Sequence, residues 1–243
     1  MGLNYEELDY QNTPIGELVL RRRRLLQLKG REIYEVKLGE EFLMSSLFHE
    51  AETQLSQIGL GRLDKAEFSV VVGGLGLGYT ALAALENPNL ASLVVVEFLR
   101  PVIDWHEKGL VPLGPSLCAD PRCRLVQGDF FALSRDGAQG FDPDHPGKKQ
   151  DAILLDIDHT PTRVLTQTNK AFYTVQGLSS LASHLNPGGV FGLWSDDRPD
   201  DRFASLLDEV FWTVETHVVE FDNPFTGQLT ENTVYLGQTE PLA

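Results

Sequence analysis

Residues Val70–Leu85 read VVVGGLGLGYTALAAL. A run of β-branched residues leads into Gly73, Gly74, Gly76 and Gly78, and an alanine-rich apolar run, Tyr79–Leu85, follows. The first run predicts a buried strand and the last a helix. Between them the backbone is almost bare. Glycine permits left-handed dihedrals and lets a ligand approach the main chain closely. The spacing Gly74-x-Gly76-x-Gly78 is not the GxGxxG of dinucleotide sites. A tight strand–helix turn without a ligand is the alternative.

The same alternation continues downstream. SLVVVEF, CRLVQGD, DAILLDI and VFGLWS read as further strands, and PVIDWHEKGL, NKAFYTVQGLSSLASHL and RFASLLDEVF as helices. Val/Ile/Leu-rich strands alternating with helices predict an α/β fold, a Rossmann-like, mostly parallel sheet with helices on both faces. VETHVVEF and NTVYLGQ follow without a helix between them and predict an antiparallel C-terminal pair. NPFTGQL joins them as a hairpin, with Pro224 and Gly227 in the turn. NPGG, before VFGLWS, reads as a turn. Residues 1–60 differ: ELVLRRR and EIYEVKL read as strands, and GEEFLMSSLFHEAETQLSQIGL as a helix capped at Ser45 or Ser46. The expected organisation is therefore a small N-terminal β-rich domain with a connecting helix over 1–60, and a nucleoside-binding domain over 61–243. The polar segment SRDGAQGFDPDHPGKKQ reads as a surface loop and a lid candidate.

Bulk properties exclude several classes. The 243 residues carry a net charge of −15, which argues against broad contact with nucleic acid. No apolar run reaches membrane-spanning length and the N-terminus lacks a signal core, so no membrane partner and a cytoplasmic protein are expected. Arg21–Arg24 is the one basic cluster; it reads as a solvated strand end or turn, with an anion or subunit contact as the alternative. Cys118 and Cys123 are expected as reduced thiols, and no histidine spacing suggests a metal site.

In an open α/β sheet, ligands sit beyond the carboxyl ends of the strands. The first strand ends in the glycines. The second ends in Glu97, suited to accept from two ribose hydroxyls. The third ends in Gly128-Asp129-Phe130, with Asp129 placed to accept from an adenine amino group and Phe130 to pack on the ring. The fourth ends in Asp156 and Asp158. Each acid alone reads equally well as a solvated cap; four successive strands with suitable ends point to a nucleoside site. Trp194 and Tyr173 are core or acceptor-pocket candidates, and His49-Glu50 belongs to a surface pair or faces the site.

This series resembles the class I S-adenosylmethionine-dependent transferases, and more closely the spermidine synthase family of polyamine aminopropyltransferases. VVVGGLGLGY, VVVEF, VQGDFF, QDAILLDIDHTP and LNPGGVFGLWS carry the resemblance, and LDYQNTPIGELVL resembles the family's N-terminal strand bearing Tyr-Gln, here Tyr10 and Gln11. The resemblance implies a class I methyltransferase-type sheet, decarboxylated S-adenosylmethionine or S-adenosylmethionine as co-substrate, a small-molecule amine as acceptor, no metal, and a homodimer. It implies that Asp156 orients the amine and accepts its proton, that Asp158 or His159 holds a second cationic group, and that Gln11 reaches over the donor. HTPTRVLTQTN, from His159, occupies the place of the family's substrate-covering loop. Departures stand beside these matches. Gly76 replaces the aspartate that helps hold the donor's amine in the family, Leu99 replaces another after strand two, and the family's second DSSD aspartate falls on His159. Aminopropyl transfer, methyl transfer from S-adenosylmethionine, a metal-assisted variant on Asp156 and Asp158, and nucleoside binding without catalysis remain as alternatives. The glycine spacing disfavours an NAD-linked oxidoreductase.

Overall fold

The computed structural model describes residues 4–242. Four antiparallel strands form the N-terminal sheet: β1 (Tyr5–Thr13), β2 (Gly16–Leu25), β3 (Arg31–Leu38) and β4 (Glu41–Ser45), in that order. Leu18, Leu20, Val36 and Leu38 turn inward and are buried. The arginine run lies at the end of β2 and is ion-paired: Arg21 and Arg23 meet Glu35, and Arg22 meets Glu6.

The helix expected from Ser45 or Ser46 begins later, as α1 (Glu50–Leu60). Residues Glu41–Ser45 pair with β3 instead, Met44 opposite Val36. Ser46 Oγ accepts from the Tyr34 N–H at 2.9 Å and Ser45 Oγ from the Leu47 N–H at 3.1 Å, so both hydroxyls finish a hairpin rather than cap a helix. An available strand edge outweighs a weak local helical preference. α1 then crosses onto the second sheet and packs on α2 (Tyr79–Leu85), where Ser56 Oγ donates to the Thr80 carbonyl at 2.6 Å.

That sheet contains β5 (Phe68–Gly73), β6 (Leu90–Glu97), β7 (Cys123–Gln127), β8 (Gln150–Leu155), β9 (Leu185–Ser195), β10 (Thr213–Asn223) and β11 (Gln228–Gln238). Its order is β10-β11-β9-β8-β5-β6-β7. β11 runs antiparallel to β9 and β10, and the remaining pairs are parallel. Successive side chains alternate faces. Val70, Val72, Leu93 and Val95 pack toward α1, α2 and α3 (Arg100–Glu107); Val71, Val94, Ile153 and Phe191 pack toward α6 (Val175–Ala182) and α7 (Asp201–Asp208). Two short helices complete the structure, α4 (Gly114–Ala119) and α5 (Phe130–Leu133).

Two segments differ from expectation. Asn169–Leu185 is broken into a 3-10 turn, Gln167–Ala171, and α6; Thr174 interrupts it by capping Gly177 N–H through its side chain. NPGG lies within β9, where a register shift against β8 and a positive φ at Gly188 absorb the turn. Cys118 and Cys123 are free thiols, and burial pushes the Cys123 thiol up to about 12. No helix among the described residues is long and apolar enough to cross a membrane.

Candidate active site

The first strand of the large sheet, β5, lies between β6 on one side and β8 on the other. The chain leaves toward both sides of this strand, which opens a crevice at its carboxyl end. A cavity of about 410 Å³ begins there and extends beneath the N-terminal sheet. Gly74, Gly76 and Gly78 line it, and Gly73 does not.

The four glycines answer to different neighbours. A Cβ on Gly73 would come within 2.6 Å of the Phe130 ring, so this residue serves packing behind the cavity. Gly74 has φ +95°, and a Cβ there would fall 2.0 Å from the Asp156 carbonyl oxygen. Gly78, also at φ +95°, caps α2 against Leu117. Gly76, at φ +48°, lies under Met44 of β4, whose thioether occupies the space that a side chain would need. Its carbonyl accepts from His106 Nε2 at 2.9 Å, and burial lowers the His106 pKa, favouring the neutral ring.

One end of the cavity suits a nucleoside. Glu97 Oε2 accepts from the Leu75 N–H at 3.0 Å and Oε1 from the Leu99 N–H at 2.8 Å. These bonds fix the carboxylate on the cavity wall. Burial raises its pKa, and the backbone donors oppose that shift. Asp129 caps α5, with Oδ1 accepting from Phe131 and Ala132 N–H, and Oδ2 engages neither. Phe130 lines the cavity as well, although it is 2% exposed and its ring stacks on Phe141 at 4.9 Å. Phe98, 44% exposed beside Glu97, is the open aromatic on this wall.

Toward the middle stands Asp156, whose Oδ2 accepts from Thr80 Oγ1 at 2.7 Å. Burial raises its carboxyl from 3.8 to about 6, against the pull of Thr80. His159 and Trp194 also line the cavity, and the Trp194 Nε1 is buried without a partner. Glu52 of α1 joins this wall. Its signal in the sequence was slight: an acid one turn beyond His49, on a helix whose start was misplaced.

Two expected site residues lie elsewhere. Asp158 is 2% exposed and turned away from the cavity. It accepts from the Leu165 N–H at 2.7 Å, Asn169 Nδ2 at 2.9 Å and the Tyr173 hydroxyl at 2.9 Å. Asp158 thus ties down residues 159–169, and Tyr173 is a core residue in its service. With its carboxylate engaged there, Asp158 does not converge with Asp156 on a shared metal; among the described residues no group of three His, Cys, Asp or Glu has metal-holding geometry. Gln11 is exposed on β1, donates to Asp9 Oδ1 at 3.0 Å and lies outside the cavity lining. The contact that docks β1 is its neighbour Asp9, which accepts from Trp105 Nε1 of α3 at 2.7 Å. The lid candidate at 134–150 is also remote from the cavity: Phe141 is buried in the core, and Asp142 and Asp144 pair with Arg124.

Substituting Asp158→Ala is expected to strand three donors and cost about 2–4 kcal/mol. Urea unfolding would register that loss, and limited proteolysis would show faster cleavage within 159–169. Unaltered stability would remove Asp158 as the anchor of this loop.

No protein-family model matches the chain. Over 146 residues, 60% of the chain, it is 30% identical to a polyamine aminopropyltransferase of Nitrosomonas europaea, of which the match covers 39%. Over 131 residues, 54% of the chain, it is 27% identical to putrescine N-methyltransferase 3 of Nicotiana tabacum, covering 30% of that protein. The matches thus span about a third of these curated relatives. In fold, the chain is similar to a spermidine synthase of Thermotoga maritima, with a TM-score of 0.71 at 14% identity over 96% of this chain and 72% of that one. It is also similar to human methyltransferase-like protein 13 in complex with SAH, with a TM-score of 0.55 at 20% identity over 79% and 85% of the two chains. The seven-stranded sheet with its separate four-stranded N-terminal sheet thus shares its fold with these solved structures.

Proposed function

We propose that the chain transfers an aminopropyl group from decarboxylated S-adenosylmethionine to the nitrogen of a small amine. One observation carries this reading: among the described residues, five carboxyl side chains, Glu52, Glu97, Asp129, Asp156 and Asp196, line the cavity, and no lysine or arginine does. Such a wall suits a cationic acceptor and a sulfonium donor that lacks a carboxylate. Similarity to a polyamine aminopropyltransferase supports the same chemistry.

Glu97 would hold the ribose hydroxyls, and Asp129 Oδ2 the adenine amino group. Gly74, Gly76 and Gly78 would let the donor lie close to the backbone. The sulfonium supplies the activation, so the protein's task is positioning, charge and exclusion of water. The amine attacks as the neutral base: its nitrogen bonds to carbon as the carbon–sulfur bond breaks, and sulfur leaves as the neutral thioether methylthioadenosine. The proton left on nitrogen passes to Asp156, directly or through water. Residues 159–169, held by Asp158, would cover the acceptor. Cytoplasmic residence and homodimeric assembly belong to the same proposal.

Methyl transfer from S-adenosylmethionine is the second reading. It is favoured by Gly76 and Met44, which leave no acid at that point to repel a donor carboxylate. Mass spectrometry of incubations with each donor and a panel of mono-, di- and polyamines separates the two. Aminopropylated product from the decarboxylated donor is the expected outcome. Methylated product alone would overturn it in favour of the second reading, and no product with either donor would reduce the role to nucleoside binding.

A further inference from the structure

Glu52 has no assigned part in the transfer just described, yet its placement is unusual. It projects from the first turn of α1 into the same cavity as Asp156, and none of the ion pairs among the described residues engages it. The surrounding groups offer it no cation. Asp156 faces it from the end of β8 and Glu50 stands on its own helix. Asp196, at the end of β9, already accepts from Arg163 at 2.7 Å and Asn232 Nδ2 at 3.3 Å. Tyr79 faces it from α2 with its ring stacked on His49, and His159 lies farther along the lining. Phe48, Trp194 and Phe221 line the same cavity, and aromatic faces attract organic cations.

Two neighbouring, largely buried carboxyls do not readily both ionise without a counter-charge. Burial first, and then the charge of Asp156, push the Glu52 carboxyl well above its usual range. An ammonium group is the counter-charge that fits, since it donates to carboxylates and is attracted to aromatic faces.

Resting on the transfer reading above, we infer that Glu52 is a specificity-determining residue that holds a proton in the amine-free cavity and gives it up when an ammonium group of the acceptor takes its place. The nitrogen that attacks must be neutral and near Asp156, whereas the nitrogen on Glu52 stays charged. The acceptor therefore carries two nitrogens, and its capture releases a proton to solvent. At Glu52 the net change is a carboxylic acid and a free ammonium becoming a carboxylate–ammonium pair plus one solvated proton; the second ammonium keeps its proton against the Asp156 carboxylate until the transfer step.

Calorimetric titration with putrescine and with butylamine, with and without methylthioadenosine, tests this near neutral pH in two buffers of different protonation enthalpy. Putrescine is expected to bind about tenfold or more tightly than butylamine, with a buffer-dependent heat that reports proton release. Glu52→Gln is expected to weaken putrescine about ten- to hundredfold, to butylamine's level, and to abolish the buffer dependence. Methylthioadenosine affinity should be unchanged, which also reports that the variant is folded. Equal affinity for the two amines, absence of putrescine binding, or binding without proton release would each overturn the inference in the unaltered protein alone. Glu52-dependent, proton-releasing capture without product from either donor would leave the inference standing and remove the transfer reading instead.

Discussion

Asp156→Asn is expected to cut turnover by about a hundred- to ten-thousandfold while raising the thermal stability of the ligand-free protein at neutral pH. Both effects follow from one environment. Asp156 sits beyond β8 with one oxygen bound by Thr80, and burial holds its carboxyl near 6 rather than 3.8. At neutral pH it is ionised and able to receive a proton, the form that the amine needs. Between 3.8 and about 6 the folded protein keeps a proton that the unfolded chain has lost. Folding stability therefore declines as pH rises through that window, and above it the folded state bears the full cost. Asparagine removes that cost, about 1–3 kcal/mol for a group open to cavity water. It preserves an acceptor for Thr80. In the unaltered protein, kcat should fall as pH drops through about 6, and the residual rate of the variant should not follow that profile. A variant that is more stable but equally active would show a buried acid without a catalytic part. One that is inactive and less stable would show a structural role.

Gly74→Ala is expected to destabilise the fold by about 4 kcal/mol or more, in the tail of single-substitution effects. The added Cβ would meet the backbone carbonyl of Asp156 at 2.0 Å, at a φ of +95°. Neither partner is free to move. The Asp156 N–H donates to the Gly73 carbonyl at 2.8 Å, and the Gly74 N–H donates to the Val96 carbonyl at 2.9 Å. Relief would require β5 and β8 to part at the point where the cavity begins. Gly76→Ala supplies the control. Its Cβ would meet only the far end of the Met44 side chain, which can swing aside, so the cost should be about 1–2 kcal/mol for the left-handed backbone. Urea unfolding of the two variants measures the difference. Equal effects would refute the assignment of Gly74 as the residue that sets the spacing of the two strands.

Much of the cavity lining was legible in the chain. Gly74, Gly76, Gly78, Glu97 and Asp129 all line one cavity, and each lies at or just beyond the end of a strand read from the sequence. The surroundings of Asp156 were far less so. Asp156 and Asp158 are two residues apart and chemically alike, and nothing local says that one faces the cavity while the other anchors a loop through three donors. Phe130 follows an acid in the expected way and lines the cavity, with its ring stacked on Phe141.

Sequence by itself determined the alternation of strands and helices, the parallel sheet with its antiparallel finish, and the glycine turn with an acid at each of the next three strand ends. These are properties of short windows, because side-chain periodicity and the direction of a strand are written in neighbouring residues. Tertiary structure alone decided what meets across distance. Met44 arrives over Gly76 from a strand where a helix was expected, Asp9 reaches Trp105 through 96 positions of chain, and Glu52 comes to face Asp156. Such encounters depend on how two sheets and a crossing helix dock, and that is set by the fit of buried surfaces rather than by the spacing within any one element.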